Sequence, residues 1–365
     1  MKKILFITPY PKGFAPSQRL KFEQYYKSME LSNYEVSYDS FIDQEFWSFI
    51  YQNGFLLRKF YKTIIAYSSR FLLLFKLKKF DIIYIHLWYT PYGPPIFERI
   101  VTALHKKVIY DIDDMIFLGH SSRANQFIRS IKGKNKMIFL MKKSNHVITC
   151  TPYLDSYVRK YNNSTTDISS TINTDVYKPI NNYNNSDSIV IGWSGSHSTS
   201  KYLYILKQIL IDLQAKHNFK LLVIGDPSFC IEDLDLEAIS WSKETEVSDL
   251  QRIDIGIYPL PNEEWVLGKS GLKALQYMAL GIPTIASAIG ANFRVIENGI
   301  SGTLVDSDNQ WKDAIEKYIL NPNLRRQHGL NGRKRVEKLY SVNANKTIYL
   351  ECLNNLINEK NITLQ

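Results

Sequence analysis

Lys269, Lys273 and Gln276 carry the chemistry most readily read from this 365-residue chain. They stand four and then three positions apart, so on a helix they share one face. Gly268, Ser270 and Gly271 surround Lys269 in the run Gly-Lys-Ser-Gly. A small, flexible, basic segment at a helix start offers unpaired backbone N–H groups and the positive end of the helix dipole, and both favour an anion. Two ammonium groups suit a diphosphate. A glutamine amide both donates and accepts, which suits the paired hydroxyls of a ribose. An ordinary amphipathic helix with a solvated basic face would show the same spacing.

The elements that must hold these residues are legible around them. Leu272, Leu275, Met278 and Ala279 recur at helical spacing and form an apolar face. Gly281 falls where a helix takes a left-handed cap, and Pro283 stops it from continuing. Ile282 to Ala286 reads as a short buried strand of a parallel sheet. Ile253 to Leu260, ended by Pro259 and Pro261, reads as the strand before the helix.

The whole stretch from Trp265 to Ser287 resembles the nucleotide-sugar signature of family 4 glycosyltransferases, which are retaining enzymes with the GT-B fold. That signature has two acids eight positions apart, followed by Met-Ala-x-Gly-x-Pro. Met278, Ala279, Gly281 and Pro283 match the latter run. Gln276 stands at the second acid, which in the family holds the ribose, and Gly268 at the first, which contacts the donor sugar. Both acids are therefore absent. A branch of the family with Gly-Lys, a second Lys and Gln-Tyr-Met resembles this chain more closely. The resemblance implies an α/β chain with two Rossmann-like domains, their parallel sheets facing across a cleft. Residues 1–180 would form the acceptor-binding domain and 188–341 the nucleotide-sugar-binding domain, with 342–365 crossing back to the first. The polar, aperiodic run 181–188 marks the linker.

In the first half, Lys3 to Thr8 reads as a strand followed by a turn with Lys12, Gly13 and Arg19. Ligands of open α/β sheets bind at such strand ends, although a plain Pro-Gly turn would look alike. In the family this loop faces the donor diphosphate and the acceptor, so Gly13 falls to the donor and Arg19 to the acceptor. Asp81 to His86 is a strand ending in a histidine. His86 aligns with a family histidine beside the donor sugar, where it would donate a hydrogen bond; packing beside Trp88 is the plainer reading. Asp113 and Asp114 follow the strand Lys107 to Ile112, and with Glu98, Asp111 and His120 they predict an acidic pocket. Paired carboxylates there can take a proton from an acceptor hydroxyl, cap the next helix or bind a divalent ion. The resemblance places Asp113 and Asp114 on the acceptor side and implies a metal-independent enzyme.

In the second half, Ile189 to Trp193 reads as a strand followed by a Gly-Ser-Thr turn and a helix, a second anion-binding arrangement. The family grips the diphosphate here with an Arg and a Lys five apart. Ser196 stands at the Arg position and Lys201 at the Lys position. Asp226, ending the strand Lys220 to Gly225, lies where the family lines the nucleotide site. Glu263 and Glu264 occupy a loop from which one acid can replace the missing sugar contact.

Composition bounds the partners. Residues 1–178 hold 26 Lys and Arg against 14 Asp and Glu, and the remainder holds 19 against 21, so the net charge of +10 comes from the first half. An anionic partner is expected for that half. Phe46 to Phe80 mixes Phe, Leu, Ile and Tyr with Arg58, Lys59, Lys62, Arg70, Lys76, Lys78 and Lys79. Such a segment can lie in a membrane interface, or cover the sheet with its basic side in water. There is no zinc-finger, RRM or KH signature, so nucleic acid is not the expected partner. Three separated cysteines argue against a disulfide framework and fit a reducing cytosol. No run of eighteen apolar residues predicts a membrane span.

Together these readings predict a cytoplasmic glycosyltransferase, peripheral on the inner face of the membrane. It would use a UDP- or GDP-linked sugar and no cofactor, and act on a saccharide or lipid-linked saccharide in surface polysaccharide synthesis. Catalytic roles fall to His86, Asp113, Asp114, Lys269 and Lys273. The donor falls to Gly13, Ser196, Lys201, Asp226, Lys269, Ser270, Gly271, Lys273 and Gln276. A nucleotide-sugar epimerase and a non-catalytic binding protein share the expected fold and stand as alternatives.

Overall fold

The computed structural model describes residues 1–105, 107–115, 134–180 and 188–358, and the chain divides into two compact units. Met1–Ser169 with Asn345–Gln365 form one unit and Ser170–Ala344 the other. Among the described residues each unit contains a six-stranded sheet whose strands all run parallel.

The first sheet comprises β1 (Lys2–Thr8), β2 (Tyr34–Ser40), β3 (Ile82–His86), β4 (Val108–Asp111), β5 (His146–Thr149) and β6 (Thr165–Asp167), in the order β2-β1-β3-β4-β5-β6. Helices cover both faces, so β3 and β4 are buried along their whole length. That is why they read as unbroken apolar runs with no alternation. The order reverses between β1 and β3, and parallel α/β sheets bind ligands beyond the carboxyl ends of strands at such a point. The C-terminal helix Val342–Asn358 packs on this unit from Asn345 onward, with Tyr349 stacked on Tyr25 at 4.3 Å and Lys107 Nζ bonded to the Ile357 carbonyl at 2.8 Å.

One helix of this unit, Leu56–Leu74, reverses the expected amphipathicity. Its charged side faces inward. Arg70 is fully buried, donates to the carbonyls of Thr8 (2.8 Å) and Asp39 (3.1 Å), and pairs with the Asp39 carboxylate at 2.9 Å. Lys62 pairs with Asp43 at 2.9 Å and with Glu45. Leu57, Phe60, Ile64, Phe71 and Leu72 are exposed while Ala66, Leu73 and Leu74 join Arg70 inside, so of the two readings of this segment a helix with its whole basic side in water does not hold, although Arg58 stays exposed. Ion pairs to the neighbouring Asp39, Asp43 and Glu45 draw the cations in.

The second sheet comprises β7 (Ile189–Ser194), β8 (Phe219–Ile224), β9 (Leu236–Ile239), β10 (Ile255–Tyr258), β11 (Thr284–Ser287) and β12 (Thr303–Val305), in the order β12-β11-β10-β7-β8-β9. Its reversal lies between β7 and β10. Residues 171–180, expected to close the first domain, belong to this unit. Ile172 bridges Ser341, Tyr177 bonds Glu246, and Arg333 donates to the Thr174 carbonyl at 2.9 Å. Polar composition does not report where the chain changes its packing partner. The proposed linker lies outside the described residues, apart from Ser188.

Candidate functional site

The switch point of the second sheet places two aromatic strand ends side by side: Trp193 on β7 and Tyr258 on β10. Lys273, in the first turn of the helix Leu272–Ala279, holds its Nζ 5.3 Å from the Trp193 ring centroid and 5.2 Å from that of Tyr258. Aromatic faces attract a cation but do not neutralise it. Among the described residues no carboxylate pairs with Lys273. Burial, and then the neighbouring Lys269, lower its pKa to about 7. Gly195 permits this packing, because a Cβ there would lie 2.4 Å from the Trp193 ring and 2.8 Å from Lys273 Cε.

The other two lysines stand over a second pair of rings. Lys269 Nζ stands 4.9 Å over Trp265, the Trp265 ring is 5.7 Å from Tyr202, and Lys201 Nζ is 5.3 Å over Tyr202. Three cations from two stretches of the chain thus stand over two pairs of rings, Trp193 with Tyr258 and Trp265 with Tyr202, and Lys269 is near enough to Lys273 to oppose its charge.

The helix start beside them is shaped by Gly271, in the left-handed region at φ 75°. A Cβ there would press on Val295 at 3.1 Å and Asn292 at 3.3 Å. Ser270 Oγ shares a hydrogen bond of 2.7 Å with Ser170 Oγ. Tyr277, buried, anchors the helix from below. Its ring fills the space left by Gly256 on β10, and its hydroxyl accepts the Ser194 amide of β7 at 2.8 Å.

Gln276 faces away from the lysines' rings into a buried polar cluster. Its Nε2 donates to Glu246 Oε1 at 3.2 Å and to the Tyr177 hydroxyl at 3.3 Å. Glu246, itself buried, also accepts from Tyr177 (2.7 Å) and from Trp241 Nε1 (3.1 Å). The amide hydrogens of Gln276 are therefore committed within the protein. Its Oε1, with no protein partner among the described residues, is the end left to accept from a hydroxyl.

Ser196 and Asp226 shape the turns of this site. Ser196 precedes the short helix His197–Ser200 and shares a hydrogen bond with Ser198 at 2.9 Å. Asp226 accepts from Ser200 Oγ (2.6 Å), Ser228 Oγ (2.7 Å) and His197 Nδ1 (3.0 Å). Burial alone would raise its pKa, but these hydrogen bonds outweigh it and hold the carboxyl down to about 2. Asp226 is thus a permanent anion that ties the turn after β8 to the turn after β7. Glu263, offered as a replacement acid, accepts from Trp265 Nε1 at 2.6 Å.

In the first unit the residues expected at the site are more enclosed. His86 is fully buried at the end of β3, its ring 5.0 Å edge-on to Phe22. Its Nδ1 meets Asp111 Oδ2 at 3.1 Å, and Asp111 also pairs with fully buried Lys21. Burial raises the Asp111 pKa, and Lys21 and His86 more than reverse that, so it stays an anion. An anionic partner puts the proton on Nδ1, and Nε2, which has no partner, is left as an acceptor while the ring is neutral. The donor role expected of His86 needs the protonated ring.

Asp113 and Asp114 are half-buried. Burial raises the Asp113 pKa, with Asp111 and Asp114 adding to the effect and His86 and Lys21 opposing it. Asp114 Oδ1 accepts the Met115 amide at 2.8 Å. The expected acidic pocket divides in two, because Glu98 is held elsewhere by Thr90 (3.1 Å) and Lys136 (3.5 Å). His120 lies outside the described residues. The Gly13 amide is already taken by the Glu23 carboxylate at 2.7 Å, so in this conformation it does not offer that N–H to a diphosphate. Arg19 ends the short helix Pro16–Arg19, half-buried. Among the described residues no group of three or more His, Cys, Asp or Glu is placed to hold a metal ion.

Sequence reasoning did not find Trp193, Tyr258, Lys21, Tyr177 or Glu246. The first two sit at strand ends beside the switch point, a signal available once the sheet order is known. Lys21, Tyr177 and Glu246 carry no local signal.

Residues 178–335 match the family model described as Glycosyl transferases group 1. The capsular polysaccharide biosynthesis glycosyltransferase CapM of Staphylococcus aureus is 27% identical over 168 residues, covering 42% of this chain and 43% of that protein. The chain spans less than half the length of the curated relatives it matches. Among solved structures, sucrose-phosphate synthase of Thermosynechococcus elongatus superposes with a TM-score of 0.69 at 15% identity, over 99% of this chain and 100% of that one. An Anabaena protein solved with UDP-glucose gives 0.67 at 15% identity, over 97% and 100%. The three lysines of the second unit therefore lie within a segment that matches the glycosyl transferases group 1 model, and the chain has the GT-B fold, with two six-stranded parallel sheets and their helices.

Proposed function

We propose that this chain transfers a sugar from a UDP- or GDP-linked donor to a hydroxyl of a saccharide or lipid-linked saccharide, with retention at the anomeric carbon. The observation that carries the reading is the burial of Lys273 between Trp193 and Tyr258 at the switch point of the second sheet, close enough to Lys269 for the two charges to oppose each other, inside the segment matched by the glycosyltransferase family model. The bond from the anomeric carbon to the diphosphate oxygen breaks through an oxocarbenium-like transition state, and the leaving diphosphate gains charge. The three ammonium groups and the amides of Ser270 and Gly271 meet that charge with little reorganisation. Three organic cations can do this without a metal. Gln276 Oε1 accepts from the ribose, and the Gly195 and Asp226 turns shape the nucleotide pocket.

The acceptor oxygen forms the new bond on the face that the diphosphate leaves. Its proton passes to the departing phosphate, and Asp113 and Asp114 orient the hydroxyl. Burial raises the pKa of Asp113, which makes it the better proton acceptor of the two. A group 1 relative in capsular polysaccharide synthesis supports a role in building surface polysaccharide from the cytoplasmic side.

The test is calorimetry of UDP, GDP, ADP and CMP with the full chain and with Lys273→Ala, followed by a donor-hydrolysis and transfer screen with the preferred base. One nucleoside diphosphate should bind preferentially and weaken roughly tenfold or more in the variant. Absence of binding to all four would remove the donor site, and donor binding with epimerisation in the absence of acceptor would make the chain an epimerase.

A further inference from the structure

The helix Leu56–Leu74 and the turn after it expose a continuous apolar strip. Leu57 is 87% exposed, Phe60 67%, Ile64 49%, Phe71 51%, Leu72 60% and Phe75 73%. These are large side chains on one side of the helix and of the turn after it, while Arg70 and Lys62 are turned to Asp39, Asp43 and Glu45 and Arg58 stays exposed in its pair with Glu45. A solitary exposed leucine needs no explanation, but a contiguous strip of this kind marks a surface that another phase or molecule covers. At the C-terminal end of the strip stand Lys76, Lys78 and Lys79, all exposed, and among the described residues no carboxylate pairs with them.

We propose that this strip is the docking surface for an anionic lipid bilayer. The helix lies in the interface with Leu57, Phe60, Ile64, Phe71, Leu72 and Phe75 at the acyl boundary, and Lys76, Lys78 and Lys79 among the headgroups. The helix is 19 residues, about 28 Å long, and no helix among the described residues is long and apolar enough to cross a membrane, so it lies on the surface. Charge selects lipid over a second copy of the chain. A second copy would bring up a like-charged unit, since the half of the chain that carries this face holds 26 cationic against 14 anionic residues. An anionic headgroup layer instead contributes favourably for each lysine near it. Ion pairing of Arg70 and Lys62 beneath the helix keeps its polar side from rotating outward, so the apolar side faces the lipid without rearrangement. This inference stands apart from the transfer reaction.

Flotation of the full chain with vesicles of phosphatidylcholine alone, and of equal parts phosphatidylcholine and phosphatidylglycerol, tests it. The protein should float with the mixed vesicles and much less with neutral ones. Leu57→Ser/Phe60→Ser/Phe71→Ser should lower retention roughly tenfold or more. Lys76→Ala/Lys78→Ala/Lys79→Ala should remove the preference for phosphatidylglycerol. Both variants change exposed side chains, and an unchanged urea unfolding midpoint would show that they fold. Failure of the wild type to float, or retention unchanged in the serine variant, overturns the proposal. A dimer seen by sedimentation velocity and abolished by the serine variant, without flotation of the wild type, assigns the face to a second copy.

Discussion

The Tyr277 hydroxyl accepts the Ser194 amide at 2.8 Å, and this single bond fastens the helix carrying Lys273 to the strand end carrying Trp193. The ring of Tyr277 reaches that position because β10 has Gly256 beneath it, where a Cβ would lie 2.5 Å from the ring. Tyr277→Phe keeps the ring and removes the acceptor, leaving a buried amide unsatisfied. It should cost about 1–3 kcal/mol in urea unfolding and weaken nucleoside diphosphate binding, since Lys273 loses its fixed distance to Trp193. Stability lost with binding unchanged would show that the bond does not position Lys273.

Lys273 predicts a pH dependence of donor binding. In the free protein its proton is lost near pH 7, because burial and Lys269 both oppose the charge. A bound diphosphate restores the charge, so binding takes up a proton and affinity should fall as pH rises above about 7. For folding, the unfolded lysine keeps its proton up to about 10.5, so between about 7 and 10.5 the unfolded state holds more protons and stability rises with pH. Titration calorimetry in buffers of different ionisation heat measures the uptake. Lys273→Met should abolish it, and proton uptake persisting in that variant would place the titration on another group.

Glu246 holds three buried donors at once: Tyr177 Oη, Trp241 Nε1 and Gln276 Nε2. Glu246→Ala removes the shared acceptor of all three and should destabilise by roughly 2–5 kcal/mol, whereas Glu246→Gln retains one acceptor oxygen and should cost less. Urea unfolding of the two variants gives the order. Equal losses would mean that packing, and not hydrogen bonding, sets the cost.

Asp111 sits between Lys21 and His86 with all three side chains fully buried. Asp111→Asn leaves a buried cation without its counter-charge and should cost about 3–5 kcal/mol. The folded pKa of Asp111 lies below its ordinary value, so its contribution is present above pH ~4 and is lost as pH falls through the folded value. Urea unfolding from pH ~3 to neutral should show that limb in the wild type and lack it in the asparagine variant. An acid limb shared by both would belong to other carboxylates.

Much of the second unit was readable along the chain. The apolar spacing of Leu275, Met278 and Ala279, the cap at Gly281 and the stop at Pro283 follow from local backbone preferences, and the helix and strand lie where these predict. Lys269 and Lys273 were legible as a pair because helical spacing is a local property. The strands β6 and β12, three residues each, were not anticipated, since so short a run shows no periodicity.

What the sequence by itself determined is the list of elements and the positions of the three lysines along them. Only the tertiary structure decided what those side chains face. Sheet order, a long-range property, set Trp193 and Tyr258 around Lys273, turned the amide of Gln276 onto Glu246, and enclosed His86 with Asp111 and Lys21. It also turned the cations of Leu56–Leu74 inward and its phenylalanines and leucines outward. Composition records that a helix has an apolar face and a charged one. Which face is buried depends on partners such as Asp39 and Asp43, whose ion pairs with Arg70 and Lys62 form only when the chain has folded.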